Sequence, residues 1–482
     1  MNILMAASEL APLVRSGGLA DAVAELSDEL QKLGNDVSVV LPYYRAIRED
    51  KSIKARKTGV RFTVAVGAGR FPCDIFEYKT PTGVQVFLVA RDEYFDRSGI
   101  YGVDERDYQD NAARFIFFTK CVVELARRLE PSPSVVHLHG WQTALAPVFV
   151  REQGLPFRTV LTPHGLEYQG NFWSYDFGLT NLSGEYFSAR GVEYFGSMNC
   201  LKGGLLFADA VILPGERFVS AAQTSEYGCG LDPVLREHQH KLQGIPSSDG
   251  LQEWNPATDA ALTAKFSAKN LADRAKNRPA FLEACGLTAG NPRATYAVFT
   301  EATRGVGIDL LLAALDRLFV DDVRLALLGP VPAELTIALE VARRKHVGKF
   351  AHLETFDKAT ARKALAGADL FVLPGAVEPE TVWLKRALTY GAIPVAARCG
   401  GLFQTVLDWD QKDGNGIVFS SATTEGLLDA CRHAARKIAE PAERERLQRA
   451  CLAQDYSAVA TARRHEALYE RITGTQGQTR AA

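Results

Sequence analysis

The sequence predicts an α/β protein made of two doubly wound halves with a central cleft between them. Short apolar runs rich in β-branched residues alternate with helical patterns along most of the chain, which is typical of βαβ units and parallel sheets. A polar, turn-rich stretch from Pro246 to Asp259 interrupts this alternation near the middle, after which it begins again. At 482 residues the chain is long enough for two or three domains of ordinary size.

The first half opens with a strand that runs into an amphipathic helix. Ile3 to Ala7 form the apolar run, and a turn with two glycines follows it. The next apolar residues recur at spacings of three and four, the stripe of one helix face: Leu19, Val23, Leu26, Leu30 and Leu33. We predict further strands in this half at Val37 to Leu41, Val135 to His139, Thr159 to Thr162 and Ala210 to Leu213.

The second half repeats the alternation after a charged segment, Ala260 to Ala284, for which we predict a helix. The strands that we predict here are Tyr296 to Thr300, Val323 to Leu328, Leu370 to Leu373, Ile393 to Ala397 and Ile417 to Phe419. Residues 422–473 have mostly helical patterns, and 474–482 are a polar tail. We therefore expect Rossmann-like domains at 1–250 and 251–455, followed by a C-terminal helix and tail at 456–482.

Composition and charge exclude several classes of partner. The 55 basic and 57 acidic side chains nearly balance, which gives no electrostatic reason to expect nucleic acid or an anionic membrane surface. No apolar run approaches the roughly 18 residues of a membrane-spanning helix, and the first residues lack a basic n-region. The eight cysteines form no C-x-x-C pair and are expected to be buried thiols. We expect a cytoplasmic protein.

The loop after the first strand combines a carboxylate, a cation and paired glycines. Glu9 is followed by Arg15, Ser16, Gly17 and Gly18, where a helix begins. Glycines let a backbone approach a ligand closely, a helix start offers N–H donors to an anion, and Arg15 adds a charge-assisted contact. The alternative is a tight turn that only needs glycine's freedom, because two adjacent glycines are a weak signal.

Two further loops carry polar and aromatic side chains at strand ends. They are His137 to Gln142 and Thr162 to Gly170. Such side chains suit a sugar, whose hydroxyls form hydrogen bonds and whose faces stack on rings. The alternative for each histidine is a structural hydrogen bond. His137 and His139 share a strand face, but no third ligand follows at metal-site spacing, so we expect no metal.

Motifs occur in a fixed order from residue 1 to about 470. The first is Ser8-Glu9 through Pro12 to Arg15-Ser16-Gly17-Gly18-Leu19-Ala20-Asp21, and the last are Glu378-Pro379 and Gly400-Gly401-Leu402. Between them lie Leu41-Pro42-Tyr43-Tyr44, Tyr94 to Arg97 with Tyr101, Asp110-Asn111, Arg114-Phe115, His137 to Trp141, His164 to Gly170 and Leu201 to Gly204. This series resembles that of bacterial glycogen synthases and plant starch synthases that use ADP-glucose, which have the GT-B fold and form glycosyltransferase family five.

The resemblance implies retaining transfer of glucose from ADP-glucose to the 4-hydroxyl of an α-1,4-glucan such as glycogen, without a cofactor or a required metal. It implies catalytic roles for three residues, His164, Glu378 and Asp21. On the donor side it implies the residues Arg15, Gly17, Gly18, Gly400, Gly401 and Leu402, to which we add Arg304. On the acceptor side we expect Glu9, Tyr101, Trp141 and Tyr168. The leaving diphosphate gains charge as the bond to C1 breaks, so cations and N–H donors must face it.

The sequence departs from the family pattern mainly where the donor phosphates are expected. Arg15 stands for a lysine and Gly140 for an aspartate. In the second half, Glu301 and Val306 occupy the positions of the family's arginine and lysine. The residues after Glu378-Pro379 also differ, reading Glu380-Thr381-Val382 in place of C-G-L. Arg304, Lys385 and Arg386 are the nearby cations that would compensate.

Three interpretations follow from this mixture of matches and departures. The first is an ADP-glucose-dependent glycogen synthase that tolerates an altered donor loop. The second is a non-catalytic relative that binds α-glucan and has lost donor binding. The third is a transferase that has moved to another donor. Losing two charge-assisted hydrogen bonds costs about 3–6 kcal/mol, or on the order of 10²- to 10⁴-fold in donor binding or rate.

Overall fold

The chain divides into two compact units, each with its own parallel sheet. A computed structural model describes residues 1–104, 106–248, 253–300, 307–375, 382–398 and 405–474. The first unit comprises Met1–Gly250 together with Ser457–Ala482, and the second comprises Leu251–Tyr456. Both are doubly wound α/β structures, which confirms the predicted fold class.

In the described part of the first unit, seven neighbouring strands run parallel and two more extend the sheet as an antiparallel edge. In sheet order they are Leu242–Gly244, Ala210–Leu213, Arg158–Thr162, Val135–His139, Asn2–Ala6, Asp36–Pro42, Gln85–Ala90, Gly69–Lys79 and Arg56–Val66. The central parallel strands are almost wholly apolar and buried, because helices cover both faces of the sheet. All five strands that we predicted in the first half are confirmed, with ends that agree to within one residue.

The helices of the first unit pack around this sheet. The α-helices are Gly18–Lys32, Arg45–Glu49, Asp92–Phe95, Asn111–Arg128, Ala146–Glu152, Cys200–Phe207, Glu216–Ala221, Asp232–Glu237 and Ala458–Thr473, and the 3₁₀ turns are Trp141–Thr143, Ser174–Thr180, Gly184–Tyr186 and Gln239–Lys241. Short strands pair as Gly102–Val103 with Arg106–Asp107, and as Asn171–Phe172, Ser197–Asn199 and Glu193–Tyr194. The last helix, Ala458–Thr473, belongs to the first unit and packs against Gly18–Lys32.

The first helix illustrates how local sequence fixes an element. Val23, Leu26 and Leu30 of the predicted stripe are buried in the core. The helix ends in a Schellman motif, in which Asn35 N–H donates to Leu30 O at 3.1 Å and Gly34 N–H donates to Gln31 O at 2.9 Å. Gly34 has φ +91°, a left-handed conformation that favours glycine, so the chain turns here into the next strand.

The second unit has a sheet in which all described strands are parallel. In sheet order they are Phe350–Leu353, Val323–Leu328, Ala294–Phe299, Leu370–Leu373, Ile393–Ala397 and Ile417–Phe419. Its α-helices are Arg278–Ala284, Ile308–Leu318, Thr336–Lys345, Lys358–Gly367, Val382–Thr389, Thr424–Lys437, Pro441–Leu452, with 3₁₀ turns at Leu271–Asn277 and Ala333–Leu335. All five strands that we predicted here are confirmed to within two residues.

Two expectations are wrong. The helix predicted over Ala260 to Ala284 begins only with the 3₁₀ turn Leu271–Asn277, because amide side chains bind the preceding backbone: Asn277 bonds both the N–H and the C=O of Ala264. The cysteines are not all buried. Six of the seven in the described ranges are buried, but Cys229 is exposed.

Candidate functional site

Polar side chains follow three neighbouring strands of the first unit, Asn2–Ala6, Val135–His139 and Arg158–Thr162. Because these strands are parallel, their carboxyl ends lie along one edge of the sheet. Glu9 follows the first strand, Trp141 the second and His164 the third. In open parallel sheets this edge is where ligands bind. The structure therefore brings three of the predicted site residues to one edge.

Glu9 anchors the glycine loop. Its carboxylate is buried and accepts hydrogen bonds from the backbone N–H groups of Ser16 and Gly17, the latter at 3.3 Å, and from Ser16 Oγ at 2.7 Å. The N–H groups that we expected to face an anion are thus held by an internal carboxylate. The sequence indicated the loop but gave no sign that Glu9 binds it.

Tyr101 completes this network. Its hydroxyl donates to Glu9 Oε1 at 2.6 Å and lies 2.7 Å from Ser8 Oγ. Burial, together with the nearby Glu9 carboxylate, raises the pKa of Tyr101 well above its usual value, so the phenol stays protonated. Two buried side chains hold the loop that carries Tyr101: Asn111 Nδ2 donates to Tyr101 O at 2.9 Å, and Arg114 Nη2 donates to Ile100 O at 3.0 Å. Glu9 and Tyr101 therefore form one rigid cluster.

This cluster gives a stability prediction. We expect Tyr101→Phe to lower the free energy of unfolding by about 1.5–3 kcal/mol, because it removes a buried hydrogen bond to a carboxylate. Urea denaturation measures the change. The matched control is Tyr168→Phe, whose ring is exposed and whose loss of a hydroxyl should change stability by no more than about 0.5 kcal/mol. Equal changes in the two variants would contradict the prediction.

The start of the first helix remains open to a ligand. Gly17 and Gly18 are exposed, and a Cβ added at either would meet nothing within 4 Å, so nothing in the described chain requires glycine there for space. The N-cap residue of this helix is Gly17, which has no side chain with which to cap the helix start. Arg15 donates to Asp21 at 2.6 Å, with 63% of the Arg15 side chain exposed. A surface pair of this kind is worth little, so an anion can displace Asp21 at small cost.

His164 lies on the surface, but its ring reaches into a buried histidine cluster. It has φ +62°, a left-handed conformation that is uncommon for any residue but glycine. Its Nε2 lies 2.9 Å from Nδ1 of His139, which is fully buried. The other members are His137, His465 and Tyr469, and the Tyr469 hydroxyl lies 2.7 Å from His137 Nδ1. The last two residues come from the C-terminal helix.

The buried histidines are uncharged. Burial lowers the pKa of His137 and of His139 well below the usual value, and neighbouring histidines lower both further. Burial also lowers the pKa of His465 to about 4. His137 Nε2 lies 2.8 Å from Thr162 Oγ1, so His137 has polar partners on both nitrogens. Among the described residues no group of three His, Cys, Asp or Glu side chains has the arrangement of a metal site.

Trp141 is joined to Tyr101 through a row of rings. The ring centroid of Phe115 lies 6.0 Å from that of Tyr101 and 5.1 Å from that of Trp141. Trp141 also covers Gly170, where a Cβ would come within 2.4 Å of the indole. The glycine that replaces the family's aspartate, Gly140, has φ +73°, which favours glycine over any other residue.

Tyr168 lies in a stretch of exposed aromatic residues. Within the described ranges, all of the strongly exposed aromatic side chains lie between residues 168 and 195: Tyr168, Trp173, Tyr175 and Phe195, which are 70–90% exposed. Trp173 and Tyr175 pack edge to face at 4.7 Å. Tyr168 therefore lies at the surface, whereas the carboxylate of Glu9 is buried.

The predicted donor residues of the second unit, Glu378, Gly400, Gly401, Leu402 and Arg304, lie outside the described residues, as do Glu301 and Val306. The two compensating cations that are described pack on aromatic rings of their own unit. Lys385 is buried, with its ammonium 5.9 Å from the Tyr456 ring. Arg386 lies 4.3 Å from the Trp254 ring and 4.6 Å from the Trp383 ring.

Ser16, Phe115 and His139 all belong to motifs of the sequence, but the sequence alone gave none of them a role in the site. The one usable signal was the spacing of His137 and His139, which places both on one face of a strand that ends at the site. Phe115 lies inside a buried helix and Ser16 lies in a loop, so only the tertiary structure shows which residues they contact.

Superposition on solved structures defines the class of protein. The chain superposes on sucrose-phosphate synthase from Thermosynechococcus elongatus with a TM-score of 0.55 at 15% identity, covering 98% of this chain and 99% of that one. It superposes on the catalytic domain of starch synthase IV from Arabidopsis thaliana, solved with ADP and acarbose, with a TM-score of 0.78 at 27% identity, covering 98% and 99%. The fold is that of the GT-B glycosyltransferases, as predicted.

Sequence comparison defines the family. Residues 2–237 match the starch synthase catalytic domain. The chain is 35% identical to the glycogen synthase of Opitutus terrae over 97% of this chain and 99% of that protein. It belongs to the family of glycogen and starch synthases, which confirms the resemblance found in the sequence, and it is a glucosyltransferase enzyme. No helix among the described residues has the length and apolar character needed to cross a membrane.

Proposed function

We propose that the protein moves glucose from ADP-glucose to the non-reducing 4-hydroxyl of an α-1,4-glucan, with retention of configuration. The bond between C1 and the diphosphate breaks, the bond from C1 to O4 forms, and the hydroxyl proton leaves with ADP. One observation carries the proposal: Glu9, Trp141 and His164 follow three adjacent parallel strands at one sheet edge. The names of the relatives and the ADP and acarbose bound to the Arabidopsis enzyme support the choice of substrates.

On the donor side, we assign the phosphates to the start of the first helix. The uncapped helix start at Gly17, the open space over Gly17 and Gly18, and the exposed Arg15 all favour a negatively charged group there. The backbone N–H groups of Ser16 and Gly17 already donate to Glu9. The attraction for the phosphates therefore comes mostly from the helix dipole and from Arg15. We assign Glu378, Gly400, Gly401, Leu402 and Arg304 to the same donor by resemblance alone.

On the acceptor side, we assign the glucan to aromatic residues of the first unit. Sugar faces stack on aromatic rings while their hydroxyls form hydrogen bonds at the rim. Trp141 lies at the strand edge and Tyr168 is exposed two residues before Gly170, which Trp141 covers. Tyr101 supports this surface through Phe115.

The proposed donor is tested by transfer of labelled glucose to glycogen. We expect incorporation from ADP-glucose with a kcat/KM at least about 10-fold above that from UDP-glucose, which corresponds to one well-made contact of about 1.4 kcal/mol. Digestion of the product by α-amylase tests retention, because only α-1,4 linkages are cleaved. The His164→Ala variant is the control for contaminating activity. A clear preference for another sugar nucleotide would contradict the proposed donor.

Separate titrations distinguish this function from the alternative of a glucan-binding protein without turnover. Calorimetry with ADP and with a maltooligosaccharide should give heat in both cases. Heat from the oligosaccharide alone, with no incorporation, would favour the alternative. The relatives give that alternative no support, since they are named as synthases.

A further inference from the structure

His139 contacts His164 directly but has no part in the transfer described above. It is the last residue of the strand Val135–His139 and is 1% exposed. Its Nδ1 lies 2.9 Å from Nε2 of His164, and the ring centroids are 5.2 Å apart at an interplanar angle of 32°. A hydrogen bond between these two nitrogens needs one proton, and the ring that carries it decides which nitrogen of His164 is protonated.

The surroundings of His139 favour one position for this proton. Its other nitrogen, Nε2, is buried and has no hydrogen-bond partner among the described residues. A proton on Nε2 would be a buried N–H without an acceptor, which proteins rarely tolerate. A proton on Nδ1 enters the hydrogen bond to His164 instead. His139 is therefore the donor and His164 Nε2 the acceptor.

The neighbouring histidines do not compete for this contact. His137 packs against His139 with ring centroids 4.1 Å apart and the rings tilted by 38°, but its nitrogens face Thr162 and Tyr469. His465 donates from Nδ1 to the carbonyl of Thr461 at 2.8 Å. Each histidine thus has its own partner, and the packing of the cluster fixes the His139 ring.

We propose that His139 is a positioning residue, which holds the His164 ring in one orientation and in the tautomer protonated on Nδ1. This inference rests on the proposed function, in which His164 contacts the transferred glucose. With its Nδ1–H group held in one direction, the His164 ring can orient the same sugar oxygen at each turnover. The strained backbone at His164 is held by the same contact, because the ring is tied to a buried partner.

Three substitutions of His139 separate positioning from packing. In His139→Asn, the side-chain amide places an N–H where Nδ1 stood, so the hydrogen bond to His164 can form again. His139→Gln places its amide where Nε2 stood, and His139→Phe keeps the ring and removes both nitrogens. We expect His139→Gln and His139→Phe to lower kcat by about 10²-fold with little change in KM. We expect His139→Asn to keep at least a tenth of the wild-type kcat. His465→Phe controls for loss of a buried imidazole elsewhere in the cluster.

A spectroscopic measurement tests the tautomer without any variant of His139. The chain has nine histidines, so selective ¹⁵N labelling gives a resolvable spectrum, and His164→Ala identifies the His164 signals. We expect the His164 shifts of a ring protonated on Nδ1 and bare on Nε2. A proton found on Nε2 of His164, or equal activity of the Asn and Gln variants, would overturn the inference. If the wild-type protein fails to transfer glucose, the proposed function falls, but the spectrum still tests His139.

Discussion

We expect His164→Gly to lower kcat by about 10²- to 10³-fold, the usual cost of removing one positioned donor from an active site. We also expect this variant to be about 1 kcal/mol more stable than His164→Ala. His164 has φ +62°, where any Cβ is strained and glycine is not. Both variants remove the same imidazole, so the difference between them reports the backbone alone.

The His164 pair separates function from folding. Transfer from ADP-glucose to glycogen measures the first, and urea denaturation measures the second. Both variants leave His139 without its partner, so their stabilities should be compared with each other rather than with the wild type. Retention of more than a tenth of kcat in either variant would contradict the role assigned to His164.

The second large effect that we expect is an increase in kcat/KM for ADP-glucose. We expect the double substitution Glu301→Arg with Val306→Lys to raise kcat/KM for ADP-glucose by about 10²-fold or more. It restores two cations at positions where the family carries them, and each charge-assisted hydrogen bond is worth about 1.5–3 kcal/mol. Removing Glu301 also removes repulsion between a carboxylate and the diphosphate. Initial rates at subsaturating ADP-glucose measure the change directly.

The matched control adds the same charge elsewhere on the second unit. Glu283→Arg with Val347→Lys changes two exposed residues by the same three charges. A similar gain in this control would mean that net charge attracts the donor, and not a local contact with it. No gain in either protein would contradict the prediction that the two missing cations limit the reaction.

Fold class and most strand positions could be predicted, because buried parallel strands are continuous β-branched runs. The helix Asn111–Arg128 is hard to predict from periodicity, since 13 of its 18 residues are buried and its polar stripe, Lys120, Glu124 and Arg127, covers only the second half. The edge strand Arg56–Val66 carries a usable signal in the alternation of Phe62, Val64 and Val66, which are buried on one face. The charged residues Arg56, Lys57 and Arg61 in the first part of the strand interrupt the alternation, so we did not predict this strand.

The loops of the site could be located from the sequence, but their internal contacts could not. Motif order placed Glu9, Arg15, Trp141 and His164 at strand ends. The bond from Tyr101 to Glu9 joins residues 92 positions apart, and the contact between His139 and His164 spans 25. Such pairings depend on tertiary packing, which local patterns do not contain. Arg15 and Asp21 were predicted for separate roles, yet they pair with each other.

The return of the last helix to the first unit sets the order in which the protein can mature on the ribosome. Asn35 bonds Glu466 at 2.8 Å, and the Tyr469 hydroxyl lies 2.7 Å from His137, so the sheet of the first unit is completed only by partners on the helix Ala458–Thr473. At elongation rates of about 5–20 residues per second, the delay after residue 250 is on the order of 10–50 s. During that interval the second unit can fold to completion, while the histidine cluster beneath His164 stays unfinished. Nascent chains should therefore become competent for glucosyl transfer only once the helix Ala458–Thr473 has emerged from the ribosome.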